Sequence, residues 1–145
     1  MNTATPVVQE FFDQYARGRS ILDLDLIASQ YPDSIMFAGP NGAQAVAKSA
    51  VLAAFHGGQE FLRASGYKST KVLSLDESRL DDHYVLVRVQ FVWRFEKPSA
   101  QPIDVRVDST FILYINQGAP TIVFQHEHED FQQALRACGV LPAKP

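Results

Sequence analysis

Two stretches decide the fold class: 83-HYVLVRVQFVWRFE-96 and 103-IDVRVDSTFILYI-115. Apolar and polar residues alternate along both, which is typical of β-strands with one buried face. The polar segments 76-DESRLDD-82, 97-KPSAQP-102 and 116-NQGAP-120 predict hairpin connections. We therefore predict an antiparallel meander whose inward face carries Val85, Val87, Val89, Phe91, Trp93 and Phe95, followed by Ile103, Val105, Val107, Ser109, Phe111, Leu113 and Ile115.

The region before the meander is predicted to be largely helical. Apolar residues at helical spacing follow Thr5-Pro6 until Gly18, and a second helix is predicted from about Ser20 to Tyr31. The stretch 34-SIMFA-38 predicts a short strand, and 39-GPNG-42 predicts a turn.

A long helix is then predicted from about Ala43 to Ser65, with a break or kink at Gly57-Gly58, and a short tail helix is predicted near 130–138. Helices that precede a run of long antiparallel strands predict the α+β class. We expect a cone-shaped, curved antiparallel sheet with the N-terminal helices on its concave face.

Length, net charge and cysteine count exclude several classes of protein function. The chain has 145 residues and a formal net charge of -3, which suits one domain and argues against nucleic-acid binding. Cys138 is the single cysteine, so an internal disulfide is excluded. The N-terminal sequence lacks the pattern of a signal peptide, and no apolar run is long enough to span a membrane. We predict a cytoplasmic protein without cofactor, nucleic-acid partner or membrane partner.

Two segments carry a family resemblance. The stretch 109-STFILYINQGAPTIVFQHEHEDF-131 is similar to the final hairpin of SnoaL-like proteins, and 7-VVQEFFDQYARGRSILDLDLIASQYPDS-34 resembles their opening helices. The chain thus resembles the nuclear transport factor 2-like (NTF2-like) superfamily, which also contains ketosteroid isomerases. The resemblance implies a single SnoaL-like domain over residues 1–145, a pocket between helices and sheet, and a frequent homodimer.

The resemblance does not extend to the ketosteroid isomerase residues. The tyrosine acid of those enzymes corresponds here to Phe11, and their aspartate base corresponds to Gly39. On the next-to-last strand, the inward residues around Ser109 include no acid, since alternation places Asp108 on the other face. The sequence therefore predicts that steroid isomerase activity is absent.

The histidines of 124-FQHEHED-130 raise three alternatives: a metal site, a structural pair, or a pair that lines the pocket. Alternation places Ile122, Phe124, His126 and His128 inward and Val123, Gln125, Glu127 and Glu129 outward. A metal site needs three or four converging ligands, so we predict none. A purely structural role for the two histidines remains an alternative to the functional interpretation, in which a neutral imidazole transfers a proton.

The functional hypothesis is a pocket protein of SnoaL-like type for a small hydrophobic molecule. If the protein is an enzyme, His126 is the candidate acid or base of an isomerisation, cyclisation or dehydration. The candidate ligand-pocket residues are Phe11, Tyr15, Trp93, Ser109, Phe111, Phe124 and His128. The alternative is a non-catalytic ligand-binding or oligomeric association module, which a closed, aromatic-filled interior would favour.

The outward face of the meander predicts a homodimer. Apolar side chains alternate there with mixed charges, a composition that suits an interface better than a fully solvated surface. The apolar residues are Leu86, Val92, Ile112, Tyr114 and Val123, and the charged residues are Arg88, Arg94, Asp104, Arg106 and Asp108.

Overall fold

The computed structural model describes residues 3–142 of the chain. Within them, helices precede and flank one sheet. The helices are α1 (Pro6–Ile21), α2 (Leu24–Ser29), α3 (Lys48–Ala64) and α4 (Phe131–Ala137). The strands are β1 (Ser34–Gly39), β2 (Gly42–Ala47), β3 (Tyr67–Arg79), β4 (Tyr84–Phe95), β5 (Ile103–Asn116) and β6 (Ala119–Glu127).

The six strands form one curved sheet in the order β2-β1-β6-β5-β4-β3. Neighbouring strands are antiparallel except for β1 and β6, which run parallel. The α+β class and the curved sheet with N-terminal helices were predicted from the sequence, and the structure confirms them.

The alternation in β4 and β5 places the core as predicted. Val87, Val105 and Phe111 are fully buried, whereas the intervening Arg88, Asp104 and Arg106 are exposed. Helix α1 packs its apolar face, which includes Phe12, onto this surface, and the Phe12 and Phe111 rings lie 4.9 Å apart. Burial of each such side chain contributes roughly 1.5–3 kcal/mol, so helix and sheet stabilise one another.

Two predictions about the N-terminal half are wrong, namely the helix start at Ala43 and the helix end at Gly18. The segment from Ala43 is not helical, because residues Gly42–Ala47 form β2 and pair with β1 in a hairpin. Helix α3 begins only at Lys48 and continues through Gly57-Gly58 without a break. Helix α1 likewise continues past Gly18, where a Cβ atom would lie 3.3 Å from Ile27. That glycine allows α2 to approach α1 closely rather than ending the helix.

A β-bulge in β6 reverses the predicted faces of this strand's second half. Ile112 pairs with Phe124 and Leu113 pairs with Ile122, so Val123 is an extra residue in the ladder. Directly opposed residues share a face, and an extra residue shifts all later side chains to the other face. The prediction that Ile122 and His126 lie on one face is therefore wrong.

Candidate functional site

A cavity of about 810 Å³ lies between α1, α3 and the concave face of the sheet. Its wall is mainly apolar, with aromatic rings from β1, β4 and α3. The main apolar lining residues are Phe37, Val46, Val51, Phe55, Phe61, Leu62, Phe91, Trp93, Val107 and Phe131. Ligand pockets commonly have volumes of about 300–1,000 Å³, so the cavity has the size of a small-molecule site.

Helix α3 forms a wall of this cavity and contributes no buried residue. Val51, Phe55 and Leu62 are only half-buried although they face the core, and Phe61 is 37% exposed. The helix therefore covers the cavity without filling it. In a helix of the packed core, such side chains would be packed at the density of a protein interior.

A cluster of polar side chains from β5 and β6 lies at the sheet side of the cavity. Because of the bulge, Gln125 is opposite Phe111 and Glu127 is opposite Ser109 on the concave face. The Ser109 hydroxyl donates to Glu127 Oε2 at 2.5 Å, and Gln125 Nε2 donates to Glu127 Oε1 at 2.7 Å. Both oxygens of the carboxylate are thus held in a fixed orientation within a largely apolar space.

Two tyrosines and an arginine extend this network from the helical side. Tyr31 Oη donates to Gln125 Oε1 at 2.6 Å, and Gln125 Nε2 also approaches Tyr15 Oη at 3.2 Å. Arg19 donates to Tyr31 Oη at 2.9 Å and to the Tyr15 backbone carbonyl at 3.3 Å. The bonds form a continuous chain from Arg19 through Tyr31 and Gln125 to Glu127, with Ser109 at its end.

Burial controls the protonation of the tyrosines. Desolvation raises the pKa of Tyr15 well above the ordinary value of a phenol, although the nearby Arg19 charge acts in the opposite direction. Desolvation also raises the pKa of Tyr31, again partly offset by Arg19. Both phenols are therefore neutral at physiological pH, and each can donate a hydrogen bond.

The sequence-predicted pocket residues fall into three groups. Tyr15, Trp93 and Ser109 line the cavity. Phe11 and Phe111 belong to the packed core and are absent from the cavity wall in the described part of the chain.

The third group, Phe124, His126 and His128, lies on the convex face. His126 is opposite Thr110, and His128 Nε2 is 2.7 Å from Thr110 Oγ1. The two imidazole rings stack with their centroids 4.3 Å apart. The predicted inward orientation of all three residues is wrong because of the bulge at Val123, and His126 does not face the cavity.

Sequence reasoning missed Glu127, Gln125, Tyr31 and Arg19. A signal for the bulge was present, because Ile122-Val123-Phe124 is a run of three apolar residues that breaks the alternation. Arg19 on α1 and Tyr31, which follows α2, meet the cluster only through the packing of these segments against the sheet. No spacing within the sequence indicates such a contact.

Neither a cluster of potential metal ligands nor a helix able to cross a membrane is present among residues 3–142. No group of three or more histidine, cysteine, aspartate or glutamate side chains is close enough there to hold a metal ion. In the same range, the helices are too short or too polar to cross a membrane.

Comparison with known proteins gives one family. The model of a family described as NTF2-like protein (DUF6841) matches residues 4–130, which is most of the chain. No curated protein matches the sequence.

Several solved structures share the fold at low sequence identity. Aln2 from a Streptomyces species is 13% identical with a TM-score of 0.72, over 92% of this chain and 98% of that one. An NTF2-like protein with a cystatin-like fold from Novosphingobium aromaticivorans is 13% identical with a TM-score of 0.70, over 91% and 86%. A putative calcium/calmodulin-dependent protein kinase II association domain from Xanthomonas campestris is 17% identical with a TM-score of 0.65, over 88% and 93%. Structural similarity at such low sequence identity shows a common fold only, so the function has to be inferred from the site.

Proposed function

We propose, from the premise that this chain belongs to the NTF2-like family DUF6841, that it is a small-molecule pocket protein whose Glu127 exchanges a proton with a bound hydrophobic compound. The reaction class is acid–base chemistry of the SnoaL-like type, namely isomerisation, cyclisation or dehydration. The observation that carries the proposal is a carboxylate, held by Ser109 and Gln125, that lines a largely apolar cavity.

The cavity supports binding because its shape and lining match a ligand site. A fixed carboxylate and neutral phenols converge at one side, and aromatic and aliphatic side chains form the remainder. Such a combination orients a hydrophobic molecule through a few polar contacts. A carboxylate within hydrogen-bond reach of an acidic C–H or O–H group acts as general base and returns the proton as general acid.

The competing proposal is an association module, the role that the name of the Xanthomonas campestris protein gives to that protein. An assembly module does not require an open interior with converging polar groups. The cavity favours binding or catalysis as the primary role, and oligomerisation through another surface is compatible with it.

Ligand binding is tested by filling the cavity from α3. Ala53 and Ala54 are both exposed on α3, and of the two only Ala54 lines the cavity. An indole at position 54 would occupy part of the space that a ligand fills, so Ala54→Trp is expected to weaken binding of the neutral fluorescent probe N-phenyl-1-naphthylamine about tenfold, or about 1.4 kcal/mol. Ala53→Trp is the matched control and is expected to retain wild-type affinity. Equal affinities in all three proteins, or no binding to the wild type, would refute the cavity as the binding site.

The proposal includes a homodimer through the convex face of the sheet. Half-buried apolar side chains lie there beside charged ones. Leu86 is opposite Ile112, and Arg94 Nη1 is 3.7 Å from Asp104 Oδ1. The bulge adds Phe124 to this face. This mixture of apolar area and charge suits a two-fold interface.

Light scattering tests this interface. The wild-type protein is expected to show about twice the chain mass of 16.2 kDa at micromolar concentration. Ile112→Lys inserts a charge at the interface and is expected to give monomers, whereas Glu60→Lys on exposed α3 is expected to leave the dimer intact. A monomeric wild type, or a dimer that survives Ile112→Lys, would exclude pairing through this face.

A further inference from the structure

Arg19 is a buried charge without a matching carboxylate. The residue is only 3% exposed. Among residues 3–142, no aspartate or glutamate oxygen lies within 4.0 Å of its guanidinium nitrogens. Buried arginines are normally paired, since burial of an isolated charge is strongly unfavourable.

The guanidinium is held with hydrogen-bonding capacity to spare. It has five N–H donors, and within the described residues it makes hydrogen bonds to the Tyr15 carbonyl and the Tyr31 hydroxyl. Its Cζ atom lies 3.2 Å from the centroid of the Tyr15 ring and 4.7 Å from that of Phe55. The two aromatic rings contact the planar guanidinium and fix its orientation. The N–H groups that do not bond to Tyr15 or Tyr31 remain for a ligand.

The cavity gives this charge access to a ligand. Arg19, Tyr15, Tyr31 and Phe55 all line it. Glu127 does not pair with Arg19 directly, because among residues 3–142 no carboxylate oxygen lies within 4.0 Å of the guanidinium nitrogens; hydrogen bonds through Tyr31 and Gln125 connect the two side chains. A ligand head group at Arg19 would thus lie at the opposite end of this hydrogen-bonded chain from Glu127.

We propose that Arg19 binds a carboxylate group of the ligand, so that the physiological ligand is a hydrophobic carboxylic acid. This inference rests on the proposed pocket function and specifies its ligand class. A guanidinium presents paired N–H groups that match the two oxygens of a carboxylate. Asp108, Glu129 and Asp130 also line the cavity. Asp108 and Glu129 are exposed, so solvent and salt weaken their repulsion of an anion, and the half-buried Asp130 carboxylate accepts a hydrogen bond from the Gln133 backbone amide.

Isothermal titration calorimetry with two probes of nearly equal shape tests the inference. Naphthalene-2-carboxylate carries the charge, and naphthalene-2-carboxamide lacks it. The wild-type protein is expected to bind the carboxylate about tenfold or more tightly than the carboxamide, because hydrogen bonds to charged groups are the stronger ones. Equal affinities would overturn the proposal without the need for any variant.

Variants then assign the preference to Arg19. Arg19→Met keeps much of the side-chain volume and is expected to abolish the preference while it retains carboxamide binding. Arg19→Lys keeps the charge without the planar group and is expected to give an intermediate preference. Arg17→Met, at an exposed position on the same helix, is the matched control and is expected to behave as wild type. Thermal unfolding checks that each variant is folded.

The outcomes separate this inference from the proposed function. Carboxamide binding without a carboxylate preference, or a preference that persists in folded Arg19→Met, would overturn the carboxylate site and leave the pocket function standing. If neither probe binds to the wild type, both proposals fail.

Discussion

In the Kemp elimination of 5-nitrobenzisoxazole, the Glu127→Gln variant is expected to be about a hundredfold slower than the wild type, in line with the usual contribution of a general base. A base removes the proton on carbon 3 of this compound, and the N–O bond breaks to give a coloured 2-cyano-4-nitrophenolate. A carboxylate oriented beside an apolar ring accelerates this reaction relative to free acetate, and Glu127 has that arrangement in the cavity. Glutamine occupies nearly the same volume but is too weak a base.

Two control variants make the result specific. Glu129→Gln removes an exposed carboxylate that also lines the cavity, and it is expected to keep near-wild-type turnover. His126→Gln removes an imidazole on the convex face and is also expected to retain turnover. The assignment of Glu127 fails if the wild type does not exceed the same concentration of acetate, or if His126→Gln is the variant that loses activity.

Gly66→Ala is expected to destabilise the fold by on the order of 3 kcal/mol, near the upper end of single-substitution effects. Gly66 lies between α3 and β3 with φ +85°, and a Cβ atom there would be 2.4 Å from the Glu96 carbonyl oxygen. The Gly66 carbonyl also accepts a hydrogen bond of 2.8 Å from the Glu96 amide. The contact involves two backbone segments, so a side-chain rotation does not relieve it.

Gly118→Ala separates conformational strain from this contact. Gly118 has φ +76°, but among the described residues no atom lies within 4 Å of the position that a Cβ atom would take there. Its expected cost is about 1–2 kcal/mol, which is the penalty for an alanine in the left-handed region. Urea denaturation measures both values, and equal destabilisation by the two substitutions would show that the Gly66–Glu96 approach is unimportant.

The long strands could be predicted from the sequence because burial on one face imposes a period of two on their residues. Phe91 and Phe111 are buried and Arg106 is exposed for that reason alone. The strand β2 was missed because its alanine-rich sequence favours a helix locally, whereas pairing with β1 determines the observed structure.

The candidate site was predicted only in part because it depends on tertiary contacts. Ser109 and Tyr15 follow from periodicity, which gives the inward side of a strand and a helix. The position of Glu127 does not follow from periodicity, since the extra residue Val123 moves all later side chains of β6 to the opposite face. Arg19 on α1 and Tyr31 just after α2 lie 12 residues apart in the chain and meet through the packing of α1 against this segment.

The most direct test of the central claim is a crystal structure of the protein with 5-nitrobenzotriazole, whose ring N–H corresponds to the C–H of the elimination substrate. We expect the ring system between α3 and the sheet, with a triazole nitrogen within about 3 Å of a Glu127 carboxylate oxygen. A cavity filled by protein side chains, or a ligand bound beside His126 and His128 on the convex face, would contradict the assignment of this cavity and of Glu127.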